Sequence, residues 1–282
     1  MESQIIKGKA IAKEIRLKLK KEFDMFLENN ITLKVAVIYF GSDPSAESYI
    51  KSKEKTFSKV GVEIEKFNFD LDVEFTDVKD KIELLNNNDD FVGIMIEMPI
   101  PEHIDKFKLF NLLNPGKDID CLTPFNYGKL FLNDEIVVPA TAAAVLEILK
   151  QTGIEIKGKN ITIIGRSNIV GKPLAILLIK EHATITVCHT KTKNVKEHSR
   201  NADILITSAG KANLVNSDYI TANSIVIDVG INFFEGKLCG DVNYNDVLNK
   251  VKMITPVPGG VGPVTSACLL KNLLNLLKDK MK

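Results

Sequence analysis

Lys159-Asn160-Ile161-Thr162-Ile163-Ile164-Gly165-Arg166-Ser167-Asn168-Ile169-Val170-Gly171-Lys172-Pro173 reads as strand, tight turn and helix. Gly165 ends the strand, and Gly171 opens the helix close to the sheet. A helix N-terminus offers free backbone N–H groups and the positive end of a dipole, an arrangement suited to phosphate. The spacing departs from Gly-x-Gly-x-x-Gly, because Ser167 stands where the middle glycine would be. On spacing alone, a plain βα turn stays open beside a dinucleotide turn.

The next strand adds to the signal. Val187-Cys188-His189-Thr190-Lys191-Thr192 ends in hydroxyls and a cation and carries no acid. In a Rossmann-type domain this strand end faces the adenosine ribose, and NAD readers place a carboxylate there. Without one, Arg166 and Thr190 suit a 2′-phosphate through charge-assisted bonds, so NADP is favoured over NAD. Lys191 reads as a solvated surface charge.

Further outward, strand-like and helix-like runs alternate along the whole chain. The clearest strands are 33–40, 63–69, 91–98, 160–165, 184–189, 204–208 and 225–229, with helical patterns over 45–60, 77–86, 141–152 and 170–181. This alternation predicts an α/β protein built on parallel sheets. The length of 282 residues is comfortable for two domains. The expected division is residues 1–139 with 264–282, against a Rossmann-like domain over 140–263. The boundary follows a hairpin-like stretch at 129–138, and Thr141 is the expected cap of the helix beyond it.

A second segment of low side-chain content lies near the end. Ile254-Thr255-Pro256-Val257-Pro258-Gly259-Gly260-Val261-Gly262-Pro263 holds three prolines and three glycines, so neither helix interior nor ordinary strand is expected there. Composition leaves open a cleft wall and a stiff connector. The apolar helix that follows, 266–277, is expected to return to the first domain.

Net charge is +1, which gives no field favouring nucleic acid or an anionic membrane. No apolar run reaches bilayer-spanning length. The basic N-terminal stretch lacks the apolar core of a secretion signal and reads as an amphipathic helix. Four scattered cysteines without a Cys-x-x-Cys pair predict a reducing cytoplasm, and neither they nor the four histidines show metal-ligand spacing.

Three places carry candidate chemistry. Tyr49 and Lys53 lie four apart in a predicted helix and share a face, although such pairs are often surface decoration. A lysine with a lowered pKa in a half-buried cleft can move protons. Glu97 stands alone in the apolar run Gly93–Met98, either pointing outward or meeting a cation such as Lys53. In Lys117-Asp118-Ile119-Asp120-Cys121, Asp120 is the better ligand candidate of the two carboxylates, with a solvated turn as the other reading.

Taken in order, these motifs resemble the bifunctional methylenetetrahydrofolate dehydrogenase/methenyltetrahydrofolate cyclohydrolase family (FolD-type). The resemblance rests on Tyr49-x-x-x-Lys53, Pro99-Ile100-Pro101, Lys117-Asp118-Ile119-Asp120, Gly165–Pro173, Val226–Asn232, Gly240-Asp241-Val242 and the Pro/Gly run, and it covers nearly the whole chain. It implies an N-terminal α/β domain, a Rossmann-like NADP domain, a C-terminal helix returning to the first domain, and a homodimer formed through the cofactor domain. It also implies that Gly165, Arg166, Ser167, Thr190 and Ile231 contact NADP. Tyr49, Lys53 and Asp120 would line the folate cleft, with Pro258, Gly259 and Gly260 in the loop that closes it. The implied reactions are oxidation of 5,10-methylenetetrahydrofolate and hydrolysis of the methenyl product to 10-formyltetrahydrofolate, with Lys53 central to the second.

The chain departs from the family pattern in three places. Glu97 replaces a glutamine, Asp120-Cys121-Leu122-Thr123 replaces Asp-Gly-Phe-His, and Pro139-Ala140-Thr141-Ala142 replaces Pro-Cys-Thr-Pro. A carboxylate beside Lys53 favours the protonated lysine, so the expectation is that oxidation persists while hydrolysis is reduced or lost. A different two-domain dehydrogenase lacks a motif here, and a nucleotide sensor without chemistry is the non-enzyme alternative.

Overall fold

The computed structural model describes residues 2–29 and 31–282. The chain begins with β1 (Gln4–Ile5), α1 (Gly8–Glu28), β2 (Lys34–Phe40), α2 (Pro44–Phe57), β3 (Glu63–Phe69), α3 (Phe75–Asn87) and β4 (Phe91–Ile96). Next come α4 (Lys106–Asn111), α5 (Pro124–Phe131), α6 (Ala140–Gln151), β5 (Asn160–Ile164), α7 (Gly171–Lys180), β6 (Thr184–Cys188) and α8 (Val195–Arg200). It closes with β7 (Ile204–Thr207), β8 (Ile225–Asp228), β9 (Asn232–Phe234), β10 (Lys237–Cys239), α9 (Tyr244–Val247), β11 (Met253–Ile254) and α10 (Val261–Lys280). Among the described residues no helix is long and apolar enough to cross a membrane.

The chain forms two compact units. The first comprises Ile15–Val138 and Leu269–Lys282; the second comprises Met1–Glu14 and Pro139–Cys268. In the first, β2 lies between β3 and β4 and all three strands are parallel, with Val37 opposite both Lys66 and Met95. A strand buried on both faces reads as a continuous apolar run, which is what Val35 to Ile38 shows. Ile38, Ile82, Leu85, Ile94 and Leu109 are fully buried in its core. The end of α10 belongs to this unit, as expected. Its Asn272 donates to the Ile119 carbonyl at 2.8 Å and the Val138 carbonyl at 2.7 Å.

The Lys117–Asp120 segment runs alongside β4. A parallel bridge joins Ile94 and Asp118, and a Cβ on Gly93 would collide with the Ile119 side chain. Asp118 is fully buried and accepts from Leu122 N (2.8 Å), Thr123 N (2.8 Å) and Asn126 Nδ2 (2.9 Å). Lys117 is likewise tied down, donating to the Leu85 and Asn88 carbonyls. Asp118→Ala is therefore expected to cost about 3 kcal/mol or more, since it strands buried donors that a charged acceptor had satisfied. Urea unfolding measures this, and a loss under about 1 kcal/mol would refute the anchoring role.

The second unit is a six-stranded, all-parallel sheet in the order β1-β11-β8-β7-β5-β6. β5 sits between β6 and β7, with Ile163 opposite Val187 and Ile206. Leu205, Val215, Val226, Val251 and Ile254 fill the core on one side.

Four expectations need correction. Residues 1–14 were expected with the first domain, but β1 extends the edge of the second unit's sheet through Gln4 N to Lys252 O and Ile6 N to Ile254 O. The hairpin-like stretch at 129–138 begins inside a helix instead. Thr123 accepts from Asn126 N at 3.2 Å as its cap, and Pro124 sits in its first turn, where a missing N–H costs nothing. Thr141 is not a cap: α6 already begins at Ala140, with Pro139 at the cap position and its carbonyl accepting from Ala143 N. The Pro/Gly run is partly regular, because Ile254 ends β11 and Val261 to Pro263 form the first turn of α10, where proline is tolerated.

Candidate active site

In α2, Ile50, Lys53 and Phe57 fall at the spacing of a buried helical stripe and are 1%, 4% and 0% exposed. A lysine thus occupies a core position, which requires a partner. The partner is Glu97, also buried, whose carboxylate takes a hydrogen bond from Lys53 Nζ. Glu97 is held there by the sheet: its N–H continues the ladder past β4, donating to the Ile38 carbonyl at 2.8 Å. One turn before Lys53, Tyr49 lays its ring under the ammonium, 4.8 Å from Nζ to the centroid. Of the two readings of Glu97, the meeting with Lys53 is the correct one.

Asp120 completes the group. Burial pushes the Lys53 ammonium down, but Asp120, Glu97 and Tyr49 together outweigh it and hold Lys53 above the ordinary lysine range. Burial pushes the Asp120 carboxyl up to about 6, with Glu97 and Asp118 adding to the shift and Lys53 opposing it. The Tyr49 hydroxyl is also raised, mainly by burial. The cluster is therefore one cation in the electrostatic company of two carboxylates and a phenol.

In the second unit, the candidate cofactor residues sit at the C-terminal ends of parallel strands, the usual ligand edge of such a sheet. Gly165 and Arg166 follow β5, Thr190 follows β6 and Ile231 follows β8. Gly165 has φ +134°, and a Cβ on it would collide with the Ser208 carbonyl and hydroxyl. Gly171 packs equally tightly on the Gly165 carbonyl. Arg166, Ser167, Thr190 and Ile231 are exposed, and the Ser167 hydroxyl accepts from Val170 N at 3.2 Å. A turn with glycine at both ends, Gly165 and Gly171, ahead of the α7 N-terminus fits a pyrophosphate, and the exposed cation and hydroxyls beside it fit a further phosphate. Pro258, Gly259 and Gly260 lie in the same unit, in the loop after β11. Gly8 N donates to the Gly259 carbonyl at 3.0 Å, and Gly8 leaves no room for a Cβ against Gly260.

Residues 6–120 match the catalytic domain of tetrahydrofolate dehydrogenase/cyclohydrolase, and residues 139–281 match its NAD(P)-binding domain. The chain belongs to the tetrahydrofolate dehydrogenase/cyclohydrolase family. It is 42% identical to the bifunctional protein FolD of Caldanaerobacter subterraneus subsp. tengcongensis over 100% of this chain and 99% of that protein. It superposes on the FolD methylenetetrahydrofolate dehydrogenase/cyclohydrolase of Campylobacter jejuni with a TM-score of 0.94 at 38% identity, covering 99% of both chains. It also superposes on the Trypanosoma brucei FolD complexed with NADP cofactor and inhibitor, with a TM-score of 0.94 at 34% identity over 100% of this chain and 99% of that one.

Within this family member, sequence reasoning overlooked several residues that shape the two sites. Tyr127 on α5 is one: burial raises its hydroxyl, and Cys121, Asp118 and Asp120 add to the effect, so it belongs to the electrostatic surroundings of that segment. Its spacing from Asp120 carries no periodic signal, because the chain turns at Cys121, whose φ is +56°. Asp228 and Asp241 are the others. Both are buried in the second unit, and the only sequence hint was a lone acid in each of two apolar, glycine-flanked motifs.

Proposed function

We propose that this protein oxidises 5,10-methylenetetrahydrofolate with NADP⁺ and hydrolyses the resulting 5,10-methenyl cation to 10-formyltetrahydrofolate. The observation that carries the reading is the buried Lys53 set among Tyr49, Glu97 and Asp120, in a chain whose other unit bears the Gly165 turn. Gly165, Arg166 and Ser167 hold the phosphates, and Thr190 with Arg166 reads the 2′-phosphate. Ile231 offers an apolar contact, and Pro258, Gly259 and Gly260 line the folate cleft. NADP⁺ supplies the hydride acceptor. The substrate's own nitrogen lone pairs stabilise the cation left behind, so the protein's work in this step is positioning.

Hydrolysis demands more of the side chains. Water bonds to the bridge carbon through its oxygen, and the bond from that carbon to N5 then breaks. One of the water protons is released and the other ends on N5. Lys53 moves the proton, Tyr49 orients groups beside it, and Asp120 anchors the pterin. Glu97 holds Lys53 in its ammonium form, which limits the amine available as a base.

Glu97→Gln removes that charge, so Lys53 loses its proton at lower pH. The rise of hydrolysis with pH is expected to move to lower pH, and the rate near pH 8 is expected to increase, while oxidation changes by less than about threefold. Superimposable pH–rate profiles for wild type and Glu97→Gln would remove Glu97 from this role.

The protein is also read as cytoplasmic and homodimeric through its second unit. Its four unbridged cysteines support the first, and family resemblance supports the second. Purified protein, 5,10-methylenetetrahydrofolate and NADP⁺ test the main reading when NADPH and methenyltetrahydrofolate are followed together. NADPH without methenyl build-up, beyond an enzyme-free control, means both steps run. Lasting methenyl build-up means a dehydrogenase with a weak second step, and no NADPH sinks the reading.

A further inference from the structure

We infer that Asp241 is a positioning residue for the cofactor: its buried carboxylate, backed by Asp228, fixes the loop after β8, which carries Ile231, to the turn after β7. Asp241 is fully buried and accepts four bonds. Its Oδ2 takes Ala209 N at 2.5 Å and Gly210 N at 3.3 Å; its Oδ1 takes Lys211 N at 2.9 Å and Asn232 Nδ2 at 3.0 Å. One side chain therefore ties the turn after β7 to the loop after β8.

Asp228, the last residue of β8, fastens the other side. It accepts from Thr207 Oγ1, Gly230 N and Asp241 N at 3.0 Å each, and from Val242 N at 2.9 Å. The two carboxylates press on glycines: a Cβ on Gly230 would fall inside Asp241, and a Cβ on Gly240 inside Asp228. Gly230 is thus pinned by Asp228 and Asn232 by Asp241. Between them stands Ile231, with its apolar side chain 58% exposed at the sheet's ligand edge. Ile231 is thus held by a fixed backbone at the sheet edge where the NADP reading places the cofactor. All four groups facing the Asp241 oxygens are donors, so an amide in its place would turn an N–H₂ toward donors and release the clamp.

This inference rests on the NADP reading of the second unit, and the test separates the two. NADPH binding is titrated by fluorescence for wild type, Asp241→Asn, Asn232→Ala and Leu149→Ala, alongside Tm and the KM for each substrate. Leu149 is a buried α6 residue outside these loops and serves as a control for simple destabilisation. Asp241→Asn is expected to weaken NADPH binding at least about tenfold, and the KM for methylenetetrahydrofolate at saturating NADP⁺ is expected to stay within about twofold. Asn232→Ala, which cuts only the Asp241–Asn232 link, is expected to weaken NADPH binding several-fold at nearly unchanged Tm. Leu149→Ala is expected to lower Tm with NADPH affinity retained. Wild-type affinity in Asn232→Ala and in a folded Asp241→Asn would overturn the inference. If Asp241→Asn does not fold, Asn232→Ala decides it. A wild type that does not bind NADPH would overturn the NADP reading, and the inference with it.

Discussion

Replacement of Lys53 by methionine is expected to cut hydrolysis of methenyltetrahydrofolate by about 10²- to 10⁴-fold, the contribution of one positioned proton-transfer group. Oxidation at saturating ligands is expected to fall far less, because that step needs no acid or base. The variant should also be unstable. Lys53 and Glu97 are both buried, and methionine leaves the Glu97 carboxylate without its cation. Breaking a buried pair from one side costs about 3–5 kcal/mol. The double variant Lys53→Met/Glu97→Gln removes the stranded charge, so it should recover most of the stability and none of the hydrolysis. Urea unfolding and a methenyl absorbance assay on both variants separate the two effects. Hydrolysis surviving within about threefold in the folded double variant would exclude Lys53 as the proton carrier.

Gly165→Ala should produce the other large change, in the second unit. At φ +134° a side chain is strained whatever the surrounding space, and here the Ser208 carbonyl and hydroxyl occupy that space. The strain alone is worth about 1–3 kcal/mol, and relieving the clash requires β5 and the loop after β7 to separate. Those elements are joined by Ser208 N donating to the Ile164 carbonyl at 2.8 Å, so the turn ahead of α7 should shift with them. The expected result is NADPH binding weakened by more than about tenfold together with a lower Tm. Unchanged NADPH affinity would show that the turn does not hold the cofactor's phosphates.

Much of this protein is legible from local pattern. The strand at Glu63–Phe69 and the helix containing Tyr49 and Lys53 follow from residue type and period alone, because a strand repeats every two residues and a helix every 3.6. The Gly165–Gly171 turn follows from what a backbone without Cβ permits. The Lys53 stripe was also present to be read, since a lysine in line with Ile50 and Phe57 is a charge placed on a core face. Short helices set by their caps were harder. Thr123-Pro124 starts α5 through a hydroxyl and a proline that also suit a turn, and nothing local chooses between them.

What the sequence by itself determined is the alternating α/β order, the two-unit plan, the glycine-flanked βα turn and the candidate residues, all of which arise from neighbours a few positions apart. Only the tertiary structure decided how distant residues meet. It set Glu97 against Lys53 across 44 positions. It turned Asp118 inward to cap the 122–126 turn and set Asp120 among the charges that hold Lys53 protonated. It added the N-terminal strand to the second sheet, and it drove Asp228 and Asp241 under the loops around Ile231. The reason is physical: the fate of a carboxylate depends on which donors and cations surround it once burial removes water, and those partners are supplied by chain topology rather than by adjacency.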